Sequence, residues 1–224
     1  TIRAKRPPRL PMMLSHQEAL AVIGRLAPPY DLLASLMYGA GLRVEETARL
    51  RVKDIDFDKQ VIIVRDGKGG KDRTTLLPAS LTARLTERIA LIRAGRQARE
   101  AFYPVPVTVP HALKRKYSRA SGSLQWQWLF PSAGVCMDAD GDPARHHVHV
   151  SSIQRAIKQA VQACGLGKPA SSHTFRHTFA TELLRRGSDI RTEQTLLGHA
   201  DVRTTQIYTH VLGQAFAGVR SPLG

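Results

Sequence analysis

Two β-rich runs, Val61-Ile-Ile-Val-Arg65 and Arg73-Thr-Thr-Leu-Leu-Pro78, flank the loop Asp66-Gly-Lys-Gly-Gly-Lys-Asp72 in a chain whose other periodic segments are helical. Strand-forming residues on both sides of a glycine-rich loop predict a single antiparallel hairpin with a basic tip. Upstream, Ser15-His-Gln-Glu18 has the capping-box pattern and opens a helix to about Leu26, which Pro28-Pro29 stop. A second helix spans about Tyr30 to Tyr38 and breaks at Gly39-Ala-Gly41, and a third begins at about Val44. Downstream, helical periodicity runs over residues 80–98, about 150–163, about 173–186 and 189–197, with a short helix from about Val202 to Tyr208. A lone hairpin enclosed by helices predicts a mostly α fold with a small antiparallel β-sheet, an α+β architecture.

The stretch 99–150 breaks this pattern. It carries Pro104, Pro106 and Pro110, the basic run Lys114-Arg-Lys116, Trp126 and Trp128, and Arg145-His-His147, and it reads as an insertion into the helical framework. Residues 1–14 are basic and proline-rich and read as a linker, leaving 15–224 as the working domain.

Charge narrows the partners. With 33 Lys and Arg against 18 Asp and Glu, the formal net charge is +15, which points to a polyanion such as nucleic acid over an acidic membrane surface. The chain's 2 cysteines, Cys136 and Cys164, form no CxxC pair, so neither a disulfide framework nor a thiolate zinc site is indicated, and a reducing cytoplasm fits. No apolar run approaches the roughly 18 residues of a membrane span.

Four places combine residues suited to phosphate chemistry. Arg43 follows the glycine break in Gly41-Leu-Arg43-Val-Glu-Glu46. It is either a surface arginine or a guanidinium set to grip a phosphate in bidentate fashion. Lys68 lies at the hairpin tip, where glycines permit close approach to a ligand, although a solvated turn lysine would look the same. The surrounding string lacks the GxxxxGK[ST] spacing of a nucleotide-binding loop. His173 and Arg176 share a helical face at i and i+3 and can bind a phosphate while handling a proton. His173 and His177, at i and i+4, could instead be half of a zinc site, but no further ligands have suitable spacing. Finally, His199 follows the helix-stopping Gly198, and Tyr208 lies in Thr204-Thr-Gln-Ile-Tyr208-Thr-His210, where a tyrosine can as well be a packing residue.

The order of these groups is more specific than any of them alone. GLRVEE, GKGGKDR, HTFRHTFATELL and LLGHADVRTTQIYTH resemble the boxes of the tyrosine recombinase family of the lambda-integrase type over residues 12–212. Pro110-His-Ala-Leu-Lys-Arg-Lys-Tyr117, Trp126-Gln-Trp-Leu-Phe-Pro131 and Arg145-His-His-Val-His149 resemble, within that family, the additional segment of integron integrases. The chain departs from the pattern over residues 99–109 and at Glu182 and Glu193.

The resemblance implies a catalytic set of Arg43, Lys68, His173, Arg176, His199 and Tyr208, with Glu46 in support. Tyr208 would attack a DNA phosphate and form a 3′-phosphotyrosine while releasing a 5′-hydroxyl. Arg43, Arg176 and His199 would stabilise the added negative charge. His173 would assist proton movement, and Lys68 would protonate the leaving oxygen. No metal, ATP or other cofactor is implied. Lys114, Arg115 and Lys116 would contact phosphates, while Trp126, Trp128, His146 and His147 would stack on unpaired bases of folded single-stranded attachment sites, or simply pack the insertion onto the core. The expected partners are single-stranded and duplex attachment sites on bacterial DNA in the cytoplasm, bound by a homotetramer. An N-terminal DNA-clamping domain is expected before residues 1–14, and the present chain alone is expected to be a monomer. A type IB-like topoisomerase and a non-catalytic DNA-binding relic are the alternatives.

Overall fold

The computed structural model describes residues 12–65, 72–100, 105–109, 120–138 and 140–198. Its first helix, α1 (His16–Gly24), is held by the capping box that the sequence specifies. Ser15 Oγ accepts from the Glu18 N–H at 3.1 Å, and a Glu18 carboxylate oxygen accepts from the Ser15 N–H at 2.7 Å. Helix α2 (Tyr30–Ala40) forms the centre of the molecule. Its Leu33, Leu36 and Met37 are fully buried, each contributing about 1.5–3 kcal/mol relative to exposure. It ends at Gly41, which has φ +65°, and a Cβ there would lie 2.5 Å from the Phe179 ring. The left-handed turn and the close helix approach both require glycine. A short helix, α3 (Val44–Ala48), follows.

Strands β1 (Ile55–Asp56), β2 (Val61–Val64) and β3 (Arg73–Leu76) form an antiparallel sheet in that order. The register pairs Val61 with Leu76 and Val64 with Arg73. Ile62 and Val64 face the core, and Thr75 is buried with its hydroxyl donating to the Ala40 carbonyl at 2.9 Å. This bond fixes the hairpin against the end of α2. Helix α4 (Thr82–Glu100) follows the sheet, and the later helices are α5 (Val150–Ala163), α6 (Ser172–Arg185) and α7 (Ile190–Leu197). A small hairpin, β4 (Cys136–Met137) with β5 (Pro143–Ala144), lies before α5. The architecture is mostly helical with small antiparallel sheets, as the pattern predicts. Among the described residues no helix is long and apolar enough to cross a membrane.

The main core joins α1, α2, α5 and the sheet, and includes Phe175 of α6. A second cluster, Phe179, Ala180, Leu184 and Leu197, seals α7 onto α6. Part of the 99–150 stretch belongs to the main core. Leu129 and Phe130 are fully buried in it, and residues 127–129 pair with 50–52 through Val52 N–H to Gln127 O at 3.0 Å and Leu129 N–H to Leu50 O at 2.8 Å.

Candidate active site

Glu46 in α3 is the hub of a cationic site. Its carboxylate accepts from Arg43 Nη1 at 2.7 Å and from the Arg43 N–H at 2.8 Å. Arg73 of β3 engages both oxygens in a fork, Nη1 at 2.8 Å and Nη2 at 2.9 Å. Arg176 of α6 approaches from a third side, with Nη1 at 3.9 Å. Burial alone would raise the Glu46 carboxyl. Hydrogen bonding and charge from Arg73, then the Arg43 N–H and guanidinium, outweigh it and hold the group down at about 2. Three guanidinium groups thus meet one permanent carboxylate, leaving a cationic excess.

The local sequence explains why these groups meet. Gly41 turns the chain so that Arg43 becomes the N-cap of α3 and Glu46 its third residue. A carboxylate there faces the exposed N–H groups of the first turn and is favoured by them. Arg176 is buried on the inner face of α6. It donates from Nη1 to Gly41 O and from Nη2 to Leu197 O, each at 2.5 Å, so it fastens the turn after α2 to the end of α7. Arg43 retains 25% side-chain exposure against 6% for Arg176, which makes Arg43 the more accessible of the two.

His173 is exposed in the first turn of α6. It lines a cleft with Lys158, Lys168 and Ser171. His177, one turn further on, is half-buried. Burial, followed by the charges of His173 and Arg176, pushes its pKa down and favours the neutral ring. Among the described residues, the group of three close metal-ligand side chains is Asp138, Asp140 and Asp142 on the β4–β5 turn, and it includes neither histidine. There Asp138 Oδ1 accepts from the N–H groups of Asp140 and Asp142 and shapes the turn. Lys68, His199 and Tyr208 lie outside the described residues, as do Lys114, Arg115 and Lys116.

A second cleft of about 400 Å³ begins beside Glu46 and extends past Arg49, Arg51 and Lys53 to Trp126 and His146. Arg51 organises it. Its guanidinium lies 3.5 Å from the centroid of Trp128 and 5.1 Å from that of Trp126, and donates to Trp126 O at 2.6 Å and Thr108 O at 2.8 Å. Burial brings its pKa down to about 10, still well above neutrality. Lys53 Nζ lies 3.0 Å from the Trp126 centroid, and burial, then Arg65, lowers this amine to about 8. The rings of His146 and His147 lie 4.0 Å apart, tilted by 37°, and each is edge-on to Trp128. Burial first, then its neighbour His147, brings His146 down to about 4. Trp128 is 6% exposed, whereas Trp126 is half-buried and His146 lies on the exposed side of the group.

The sequence reading did not single out Arg73, Arg51 or Lys53. Arg73 looks like an ordinary strand opening. One signal was available: Arg73 and Thr75 share a strand face by the two-residue period, and a cation on a core-facing side needs an acidic partner.

Residues 13–214 match the phage integrase family. An Escherichia coli protein described as an integrase/recombinase is 50% identical over 216 residues, covering 96% of this chain and 64% of that relative. The tyrosine recombinase XerD of Ralstonia nicotianae is 36% identical over 216 residues, covering 93% and 58% respectively. The chain therefore spans less than two thirds of the length of these relatives. Among solved structures, the XerA recombinase crystal structure is similar with a TM-score of 0.64 and 30% identity, covering 93% of this chain and 62% of that one.

Proposed function

This chain belongs to the phage integrase family, and from that premise we propose that it is the catalytic part of a site-specific DNA recombinase working through a 3′-phosphotyrosine. The observation that carries this reading is the convergence of Arg43 and Arg176, from distant parts of the sequence, on the Glu46 carboxylate. A phosphodiester repels nucleophiles and gains negative charge on its non-bridging oxygens as a fifth oxygen bonds to phosphorus. Fixed cations aimed at those oxygens supply on the order of 3–4 kcal/mol each by analogy with oxyanion-hole donors.

In this mechanism Arg43 and Arg176 grip the phosphate and His199 donates to the same oxygens. Tyr208 Oη attacks phosphorus and gives up its proton with help from His173. The bond to the 5′-oxygen breaks, and Lys68 supplies the proton that makes it a hydroxyl. The phosphotyrosine conserves the energy of the broken ester, so a second 5′-hydroxyl can attack it and restore a strand without ATP or metal. Glu46 keeps Arg43 oriented throughout.

Within the family, the chain acts as an integron integrase. Trp126 and His146, at the open end of the second cleft, stack on a base unpaired from a folded single-stranded attachment site, with Trp128 and His147 behind them. Lys114, Arg115 and Lys116 neutralise nearby phosphates. The full-length protein assembles as a homotetramer on paired attachment sites in the bacterial cytoplasm and integrates or excises gene cassettes, whereas this chain alone is a monomer.

The test is adduct formation by the full-length protein on a nicked attachment-site hairpin, read on a denaturing gel. A covalent band with the native protein and none with Tyr208→Phe is expected. An undiminished band with Tyr208→Phe sinks the nucleophile assignment. Equal yield on arbitrary duplex favours a topoisomerase, and no band from the folded native protein favours a non-catalytic DNA-binding relic.

A further inference from the structure

We infer that Arg73 is a positioning residue that sets the spacing between Arg43 on α3 and the last turn of α7; this rests on the reading of the site given above. Arg73 uses donors at all three of its guanidinium nitrogens. Nη1 and Nη2 take the two oxygens of Glu46 at 2.8 and 2.9 Å, while Nε donates to Leu196 O at 3.0 Å. Glu46 in turn holds Arg43 through its side chain and its backbone N–H. One planar guanidinium therefore joins α3, β3 and the last turn of α7. A lysine, with a single tetrahedral nitrogen, lacks that fork.

The α7 end of the clamp is specific as well. The final carbonyls of a helix have no partner in their own helix. Here Arg73 takes Leu196 O and Arg176 takes Leu197 O, so two arginines cap the same turn. Their charges also oppose the negative end of the helix. Gly198 follows with φ +63°, and a Cβ placed there would fall 2.6 Å from Arg73 Cδ. The Arg73 stem thus lies directly on the residue that precedes His199. It also opens the strand that follows the loop carrying Lys68. Arg73 touches Glu46 and the end of α7, and its contribution to the reaction is geometric. A misplacement of about 1 Å at a reacting centre costs about 100-fold in rate.

The experiment measures single-turnover cleavage of nicked attachment-site DNA by the full-length protein, with DNA affinity and thermal unfolding measured alongside. Arg73→Ala and Arg73→Lys are both expected to lose about 100-fold in cleavage at saturating DNA, with DNA affinity unchanged. Added guanidinium ion is expected to restore part of the rate to Arg73→Ala and none to Arg73→Lys. The cost of Arg73→Ala is expected to shrink in a Glu46→Gln background, because both changes break one clamp. Full cleavage by folded Arg73→Lys overturns the inference, since charge alone would then suffice. A parallel loss of DNA affinity also overturns it, by making Arg73 a DNA contact. If Arg73→Ala does not fold, the Lys variant decides. Failure of the wider reading looks different: Tyr208→Phe would then retain the covalent product.

Discussion

The guanidinium of Arg51 lies 3.5 Å from the ring centroid of Trp128 and is locked there by the carbonyls of Trp126 and Thr108. This contact ties the 120–149 region to the chain that leaves α3. Arg51→Met keeps much of the aliphatic stem but removes the ring contact and both charged hydrogen bonds. A loss of about 2–4 kcal/mol is expected from these terms. The urea midpoint of the variant reads it. An unchanged midpoint would show that the backbone pairing of 50–52 with 127–129 suffices by itself.

Glu46 makes stability depend on acid. The folded carboxyl ionises near 2, below the ordinary value of 4.5. Its contribution is therefore complete above about 4.5 and is lost as the pH falls toward about 2. Glu46→Gln is expected to cost about 3–5 kcal/mol at neutral pH, because it leaves arginines facing one another without their counter-charge. The same variant loses less stability on acidification than the native protein. Thermal melts at neutral and acidic pH check both statements.

Glu193 has the opposite sign. It is fully buried on α7, and among the described residues neither carboxylate oxygen has a hydrogen-bond partner. Burial pushes its pKa up to about 8 from 4.5. Between those values the unfolded chain is ionised while the folded one keeps its proton. Stability from this group is therefore greatest below about 4.5, falls as pH rises, and levels off above about 8. Glu193→Gln is expected to flatten that slope, and Glu193→Leu to raise the melting temperature most at alkaline pH. Identical slopes in the native and Gln proteins would remove Glu193 as the source.

Gly41→Ala tests the turn that presents Arg43. The new methyl would meet Phe179 at 2.5 Å while the backbone stays at φ +65°. A destabilisation of about 2–4 kcal/mol is expected from strain and overpacking combined. Trimming the neighbour with Phe179→Leu recovers part of the overpacking and none of the backbone strain. Chemical denaturation of the two single variants and the double variant separates the contributions.

Much of this organisation is legible in the sequence because it is local. The Ser15–Glu18 capping box, the β2–β3 hairpin, the glycine stops at 41 and 198, and the span of α5 each follow from residues a few positions apart. Arg43, Glu46 and Arg176 are recognisable as candidates only through the joint order of several short strings, none of which is decisive alone. The role of Arg73 is not legible this way: its partners are Glu46 and Leu196, 27 and 123 positions away. The burial of Trp128 is likewise set by Arg51 and by the pairing of 50–52 with 127–129, distant in sequence, which periodicity does not report. Strands β1, β4 and β5 have two residues each, too few to display an alternation. Lys68, His199 and Tyr208, which only the resemblance marks as candidates, lie outside the described residues.

The shared carboxylate at Glu46 also has an evolutionary consequence. Arg43 and Arg73, from separate segments, both hydrogen-bond to one acid, and Arg176 lies 3.9 Å from it, so loss of that acid alone leaves the clustered cations without their counter-charge. Descendants of this chain are therefore constrained to keep the quartet or to replace it together, and lineages that lose the acid alone should be rare or inactive.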